Sequence, residues 1–131
     1  MVINQLKLLI SLARIDGAVG EREEKYILNI GTANGHSVEQ IRPLFLKSYD
    51  VIVPDDLTDD QRFNYIFSLV ELMKIDERLY KDEIRFCSKV AARLGYEETV
   101  MFDLMLHVKE AMGPNEKESL KKLTAKYLGK P

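Results

Sequence analysis

The stretch Leu12-Ala-Arg-Ile-Asp-Gly-Ala-Val-Gly-Glu-Arg-Glu-Glu24 returns 60 residues later as Leu72-Met-Lys-Ile-Asp-Glu-Arg-Leu-Tyr-Lys-Asp-Glu-Ile84, and this echo constrains the fold more than any other feature of the chain. Ile15 answers Ile75, Asp16 answers Asp76, Val19 answers Leu79 and Glu23 answers Glu83. The same offset pairs Tyr26 with Phe86, Ile27 with Cys87, Ile30 with Val90, Gly35 with Gly95, Ile41 with Met101, Leu44 with Leu104 and Phe45 with Met105. Polar positions follow it too, Asn4, Ser11 and Arg14 standing opposite Asn64, Glu71 and Lys74. A period of this length, kept through three patterned segments, predicts two copies of a three-helix unit. Each copy has one apolar face, and burying the two faces against each other gives a single domain.

The local pattern supplies the helices. From Val2 to Ile15 the run is apolar apart from Asn4, Gln5, Lys7, Ser11 and Arg14, and the spacing of Asn4, Lys7, Ser11 and Arg14 is that of one wet stripe on a largely buried helix. Gly17 suits the left-handed residue that ends it. A second helix is expected from Gly20 to Asn34, with Glu21, Glu23 and Glu24 at its positive end and Tyr26, Ile27, Ile30 and Ala33 inward. Ser37-Val-Glu-Gln40 has the form of a capping box for a third helix, which Pro43 should kink or cut short.

Residues 49–57, which include Pro54, lose helical period and read as a linker between unit 1–48 and unit 58–112. Thr58-Asp-Asp-Gln61 is a second capping box, opening a fourth helix that should lie with the first at the centre. After Gly113-Pro114 a last amphipathic helix, 114–128, carries Leu120, Leu123 and Tyr127 among lysines and glutamates and should cover an open edge. The prediction is an all-α domain of about seven helices.

Composition narrows what such a domain can do. With 19 basic and 21 acidic residues and no long basic run, nothing favours nucleic acid. No apolar run approaches the roughly 18 residues of a membrane span, and Lys7 and Arg14 interrupt the N-terminal one, so a cytoplasmic protein without membrane insertion is expected. One cysteine, Cys87, on an apolar helix face, allows neither an intrachain disulfide nor a thiolate cluster, and burial there would raise its pKa. His36 and His107 have no partner at ligand spacing. Met73, Met101, Met105 and Met112 fall at core spacing, and Ser11 and Glu71 read as solvated positions.

The doubled pattern, Ala13-Arg-Ile-Asp-Gly-Ala-Val-Gly-Glu-Arg-Glu23 and Met73-Lys-Ile-Asp-Glu-Arg-Leu-Tyr-Lys-Asp-Glu83, resembles the tellurite-resistance protein B (TerB-like) family over roughly Leu6 to Met112. The second copy departs from it in having Glu77 where the first has Gly17. The resemblance implies an all-helical module of bacterial stress and tellurite-resistance systems, with a role proposed for acidic surface residues in binding metal ions. Such modules also occur beside DnaJ domains, but this chain has no His-Pro-Asp tripeptide.

The candidate site is the pair of acidic turns. Asp16 with Glu23, and Asp76 with Glu83, bracket short interhelical turns, so four carboxylates, with Glu24 or Asp82 nearby, could hold a hard cation such as Ca²⁺ or Mg²⁺ if the turns share a face. The competing reading is structural, Asp16 and Asp76 accepting backbone N–H groups at the start of the following helix while Glu23 and Glu83 complement its dipole or pair with Arg22, Lys25 or Arg78. No phosphate loop, nucleophile elbow or nucleotide fingerprint is present. The chain therefore reads as a non-enzymatic module acting through protein contacts. A metal-dependent hydrolase built on the same carboxylates and a purely structural subunit are the alternatives.

Overall fold

The computed structural model describes residues 2–128 except 16, 18, 76–80 and 110, and the side chain of Val2 is not among those described. It contains α1 (Val2–Ala13), α2 (Glu21–Ala33), α3 (Val38–Ile41), α4 (Asp59–Met73), α5 (Lys81–Arg93), α6 (Val100–His107) and α7 (Pro114–Thr124). Short 3₁₀ turns follow α3 (Arg42–Leu46) and α7 (Ala125–Tyr127). Among the described residues there is no strand, and one isolated bridge pairs Tyr96 with Leu128.

α1 and α4 pack against each other at the centre, α2 lies on α1, and α5 lies on α4. Burial explains that placement. α1 hides Leu6, Leu8, Leu9, Ile10, Leu12 and Ala13, and α4 hides nearly every side chain from Tyr65 to Met73. Helices apolar on almost all sides must sit in the middle. α2 and α5 have narrower buried stripes, Glu23, Ile27 and Gly31 in one and Glu83, Cys87, Val90 and Ala91 in the other. The stripe on α2 is turned from the expected face. Gly31 faces the core and Ala33 faces solvent, because Ile41 of α3 and Leu6 of α1 approach the glycine where a Cβ would stand.

Helix ends follow the local chemistry. Ser37 Oγ accepts from Gln40 N–H (3.1 Å) while Gln40 Oε1 accepts from Ser37 N–H (2.8 Å), and Thr58 and Gln61 repeat the exchange at α4. Both predicted capping boxes are formed. At the end of α2, Gly35 has φ +92°, His36 N–H donates to Gly31 C=O and Gly35 N–H donates to Thr32 C=O. At the end of α5, Gly95 has φ +96°, with Tyr96 donating to Ala91 and Gly95 to Ala92. Two left-handed glycines thus close the same hydrogen-bonded cap 60 residues apart. Pro43 has no N–H to continue α3, which is four residues long before it tightens into the 3₁₀ turn.

The linker is anchored. Leu57 is buried, Val51 and Val53 pack on the core, and the Arg93 guanidinium donates to Val51 C=O. α7 covers one side of α4 through buried Leu120, the Lys117 ammonium 4.9 Å from the Phe67 ring centre and an ion pair from Lys121 to Asp60. Glu97 N–H donates to Tyr127 C=O (2.6 Å), which fastens the C-terminal turn to the α5–α6 loop. No helix among the described residues is long and apolar enough to cross a membrane.

Candidate functional site

Of the four carboxylates singled out in the sequence, Asp16 and Asp76 lie outside the described residues. Glu23 and Glu83 occupy the third position of α2 and of α5 and are buried, at 9% and 3% exposure. Glu23 Oε1 accepts from Gly20 N–H at 3.0 Å, the reciprocal half of a capping box whose other half a glycine has no side chain to supply. Glu116 does the same for Gly113 N–H (3.1 Å) at the start of α7, and there the backbone bond, with Lys109 beside it, lowers the carboxyl pKa. The negative charge of Glu83 lies close to Cys87, one turn along α5. Burial first and Glu83 second push that thiol up to about 12, which leaves it unreactive as a nucleophile. Among the described residues, no three His, Cys, Asp or Glu side chains come together in a way that could hold a metal ion. Glu24 is half-buried and Asp82 exposed, and Asp82 lies 4.0 Å from Arg85 on the surface of α5.

The residues that join the helices are different ones. Tyr26 reaches from α2 across to α4, where its O–H donates to Glu71 Oε1 at 2.6 Å and lies 3.4 Å from Ser68 C=O. From α1, Gln5 donates from Nε2 to Ser68 Oγ (3.0 Å), whose own hydroxyl donates to Tyr65 C=O (2.9 Å). A polar seam, Gln5–Ser68 and Tyr26–Glu71, therefore ties α1 and α2 to α4. Burial, and next the Glu71 carboxylate, raise the Tyr26 pKa well above its usual value near 10, so the phenol stays a donor. Glu71 is thus not the solvated position expected of it, being half-buried and engaged.

Arg14 and Lys74 also leave the wet stripe. The Lys74 ammonium donates to Met105 C=O (2.8 Å) and Val108 C=O at the end of α6, and the Arg14 guanidinium donates to Lys47 C=O after the first 3₁₀ turn. Each satisfies carbonyls that the end of a helical segment leaves without an intrahelical donor. Ser11 Oγ donates to Lys7 C=O within α1. His36 is half-buried and His107 exposed, and Met112, partly buried against the core as expected, also lines a groove between α6 and α7.

Sequence reasoning missed the seam because it followed the matches of the repeat. The signal lies in its mismatches: Tyr26 stands against Phe86 and Glu71 against Ser11, and the two odd residues are the ones that bond to each other. Among the described residues every buried side-chain nitrogen and oxygen has a partner, so the interior polar chemistry is used in holding the helices together. No family model, curated protein or solved structure matches the chain.

Proposed function

We propose that this chain is a non-enzymatic helical module that acts through protein contacts, in line with the TerB-like pattern of its two acidic turns and, through that likeness, with a bacterial stress or tellurite response. One observation carries the reading: Leu46, Ile52, Phe102 and Leu106 are more than half exposed, in a molecule whose core is otherwise closed. Large apolar side chains held in water cost roughly 25 cal/mol per Å², and where they gather they mark contact surfaces. The buried polar groups, by contrast, are spent on capping and on the seam between helices.

Selection of displayed helical peptides on the immobilised protein tests this. Binders are expected that lose their affinity for Leu46→Asp or Leu106→Asp while circular dichroism shows the fold unchanged. The hydrolase alternative predicts turnover of phosphoester, ester or peptide substrates with Mg²⁺, Mn²⁺ or Zn²⁺, abolished by Glu23→Gln and Glu83→Gln. Such turnover would overturn the non-enzymatic reading. Calcium or magnesium at the acidic turns remains part of the proposal through Asp16, Glu23, Asp76 and Glu83, and calorimetric titration with each ion is its direct test.

A further inference from the structure

At the 60-residue offset Pro54 answers Pro114, and there the two units part. Beyond Pro114 the second unit runs into α7, which lies on its own α6 and sets Lys117 4.9 Å from the centre of the Phe67 ring and Lys121 against Asp60, both on α4. Beside α7, Phe63 and Phe67 are buried, at 3% and 4% exposure. Beyond Pro54 the first unit runs instead into α4, at the centre of the molecule. The residues of α1 that answer Phe63 and Phe67 are Ile3 and Lys7, and both are only half-buried. Next to Lys7 is a groove of about 260 Å³, whose lining includes Asn4, Lys7 and Leu8 of α1 and Tyr49, Asp50 and Ile52 of the linker. Ile52 is 64% exposed, whereas Met112, which answers it, is half-buried in the groove that α7 completes.

We propose that this groove seats an amphipathic helix of a partner protein, set on α1 as α7 is set on α4. The apolar stripe of that helix lies over Leu8 and beside Ile52, in the manner of a helix docked in a groove. It carries a carboxylate where α7 carries Lys117, and that reversal of charge follows from one difference between the units. α4 offers the ring of Phe67 to a lysine, whereas α1 offers Lys7 at the answering position, its ammonium 5.1 Å from the centre of the Tyr49 ring. A lysine brought there would face a like charge, and a carboxylate meets an opposite one. Asp50, exposed, is the other charged group of the lining, so the helix also has a place for one basic residue. The proposal rests on the reading of the chain as a protein-contact module and deepens it, since it gives the chemistry of one partner.

The α7 sequence itself supplies the probe: a peptide of residues 113–128 carrying Lys117→Glu, held helical by side-chain lactams and titrated into the isotope-labelled full chain under NMR. Amide shifts are expected at Asn4, Lys7, Leu8, Tyr49 and Ile52, and the same peptide with Lys117 retained should bind about 5-fold or more weaker. Ile52→Asp should weaken binding about 10-fold or more through loss of an apolar anchor. Lys7→Glu should invert the preference, so that the peptide retaining Lys117 binds the tighter. The same charge reversal at exposed Lys89 of α5, Lys89→Glu, should leave binding unchanged. Ile52 is exposed and Lys7 half-buried, so circular dichroism should report an unaltered fold. A groove without shifts up to millimolar peptide overturns the proposal, and so do shifts confined to α4 and α6, where the peptide would replace its own counterpart. Binding indifferent to both Ile52→Asp and Lys7→Glu overturns it as well. Binders from the selection experiment that depend on Leu46 or Leu106, found while the groove stays unshifted, would overturn this seat and leave the module reading standing.

Discussion

Replacing Tyr26 by Phe removes one oxygen and one hydrogen bond, and the structure sets its cost. The bond is a 2.6 Å O–H donation to a carboxylate, at the short end for a charge-assisted pair. Buried bonds to charged groups contribute about 1.5–3 kcal/mol, and the half-exposure of Glu71 places this one near the lower limit, about 1.5 kcal/mol. The ring itself is retained, so no cavity adds to the loss. For a chain of 131 residues, an unfolding entropy of roughly 2 cal/mol/K per residue converts that to a fall in Tm of about 5 °C. Urea denaturation at pH 7 should show the lower midpoint with an unchanged slope. A double-mutant cycle with Glu71→Leu should return a coupling of about 1 kcal/mol or more.

The pH dependence of the same variant is a second readout. The folded-state pKa of Tyr26 is raised, so above the usual tyrosine value near 10 the unfolded chain gives up this proton while the folded chain keeps it. Stability from Tyr26 is fully present below pH 10 and is lost as the solution becomes more alkaline. Tyr96, pushed up to about 12 by burial and then by Asp59, contributes to the same fall. Tyr26→Phe should therefore make the alkaline decline shallower without abolishing it. A variant within 0.3 kcal/mol of wild type, with effects that simply add to those of Glu71→Leu, would refute the seam as an energetic connection between α2 and α4.

Glu23→Ala should cost about 1 kcal/mol in urea denaturation through loss of the Gly20 cap, and Glu23→Gln, whose amide oxygen can still accept, should cost less than half of that. Lys74→Met keeps the aliphatic stem but leaves the carbonyls of Met105 and Val108 without their ammonium, so a loss of about 1–2 kcal/mol is expected, with faster amide exchange at the end of α6. Lys74→Arg should recover most of it, since Arg14 performs the matching task in the first unit. Cys87 should resist an aromatic disulfide reagent at pH 8 in the native protein and react fully in denaturant, and rapid native labelling would contradict its burial and its pKa near 12.

The helices were legible because each is specified locally. Alternation between Ser37 and Gln40 or Thr58 and Gln61, the prolines at 43 and 114, and the glycines at 35 and 95 act within a few residues of themselves, and sequence patterns report such effects well. The inward face of α2 was less so: Gly31 belongs to the core only because Ile41 and Leu6 come within contact distance of it, and the rotation of a helix is settled by its neighbours. Long side chains misled in a consistent direction. Arg14, Lys74 and Glu71 fall on polar stripes, yet each bends to a partner at least 30 residues away, a reach that periodicity does not encode. Glu23 reads in the sequence as a complement to the helix dipole or as an ion ligand, and the structure adds a capping bond from Gly20 N–H that neither reading contains.

The Tyr26–Glu71 bond settles a question of identity that the repeat itself raises. α2 and α5 carry apolar stripes of the same register, and α1 and α4 carry matching ones, so on hydrophobic grounds alone the second helix of either unit could settle against either central helix. Exchanging α2 and α5 would set Phe86 against Glu71, taking the phenol donor from that carboxylate, and would set the Tyr26 hydroxyl against Ser11, whose neutral oxygen is a weaker acceptor than a carboxylate. A buried or half-buried polar group left alone costs about 1–3 kcal/mol, enough to favour one partnering over its mirror by a factor of about ten or more. The phenol thus works as a key cut for one lock, and α2 and α5, alike in their apolar stripes, are told apart by one polar pair.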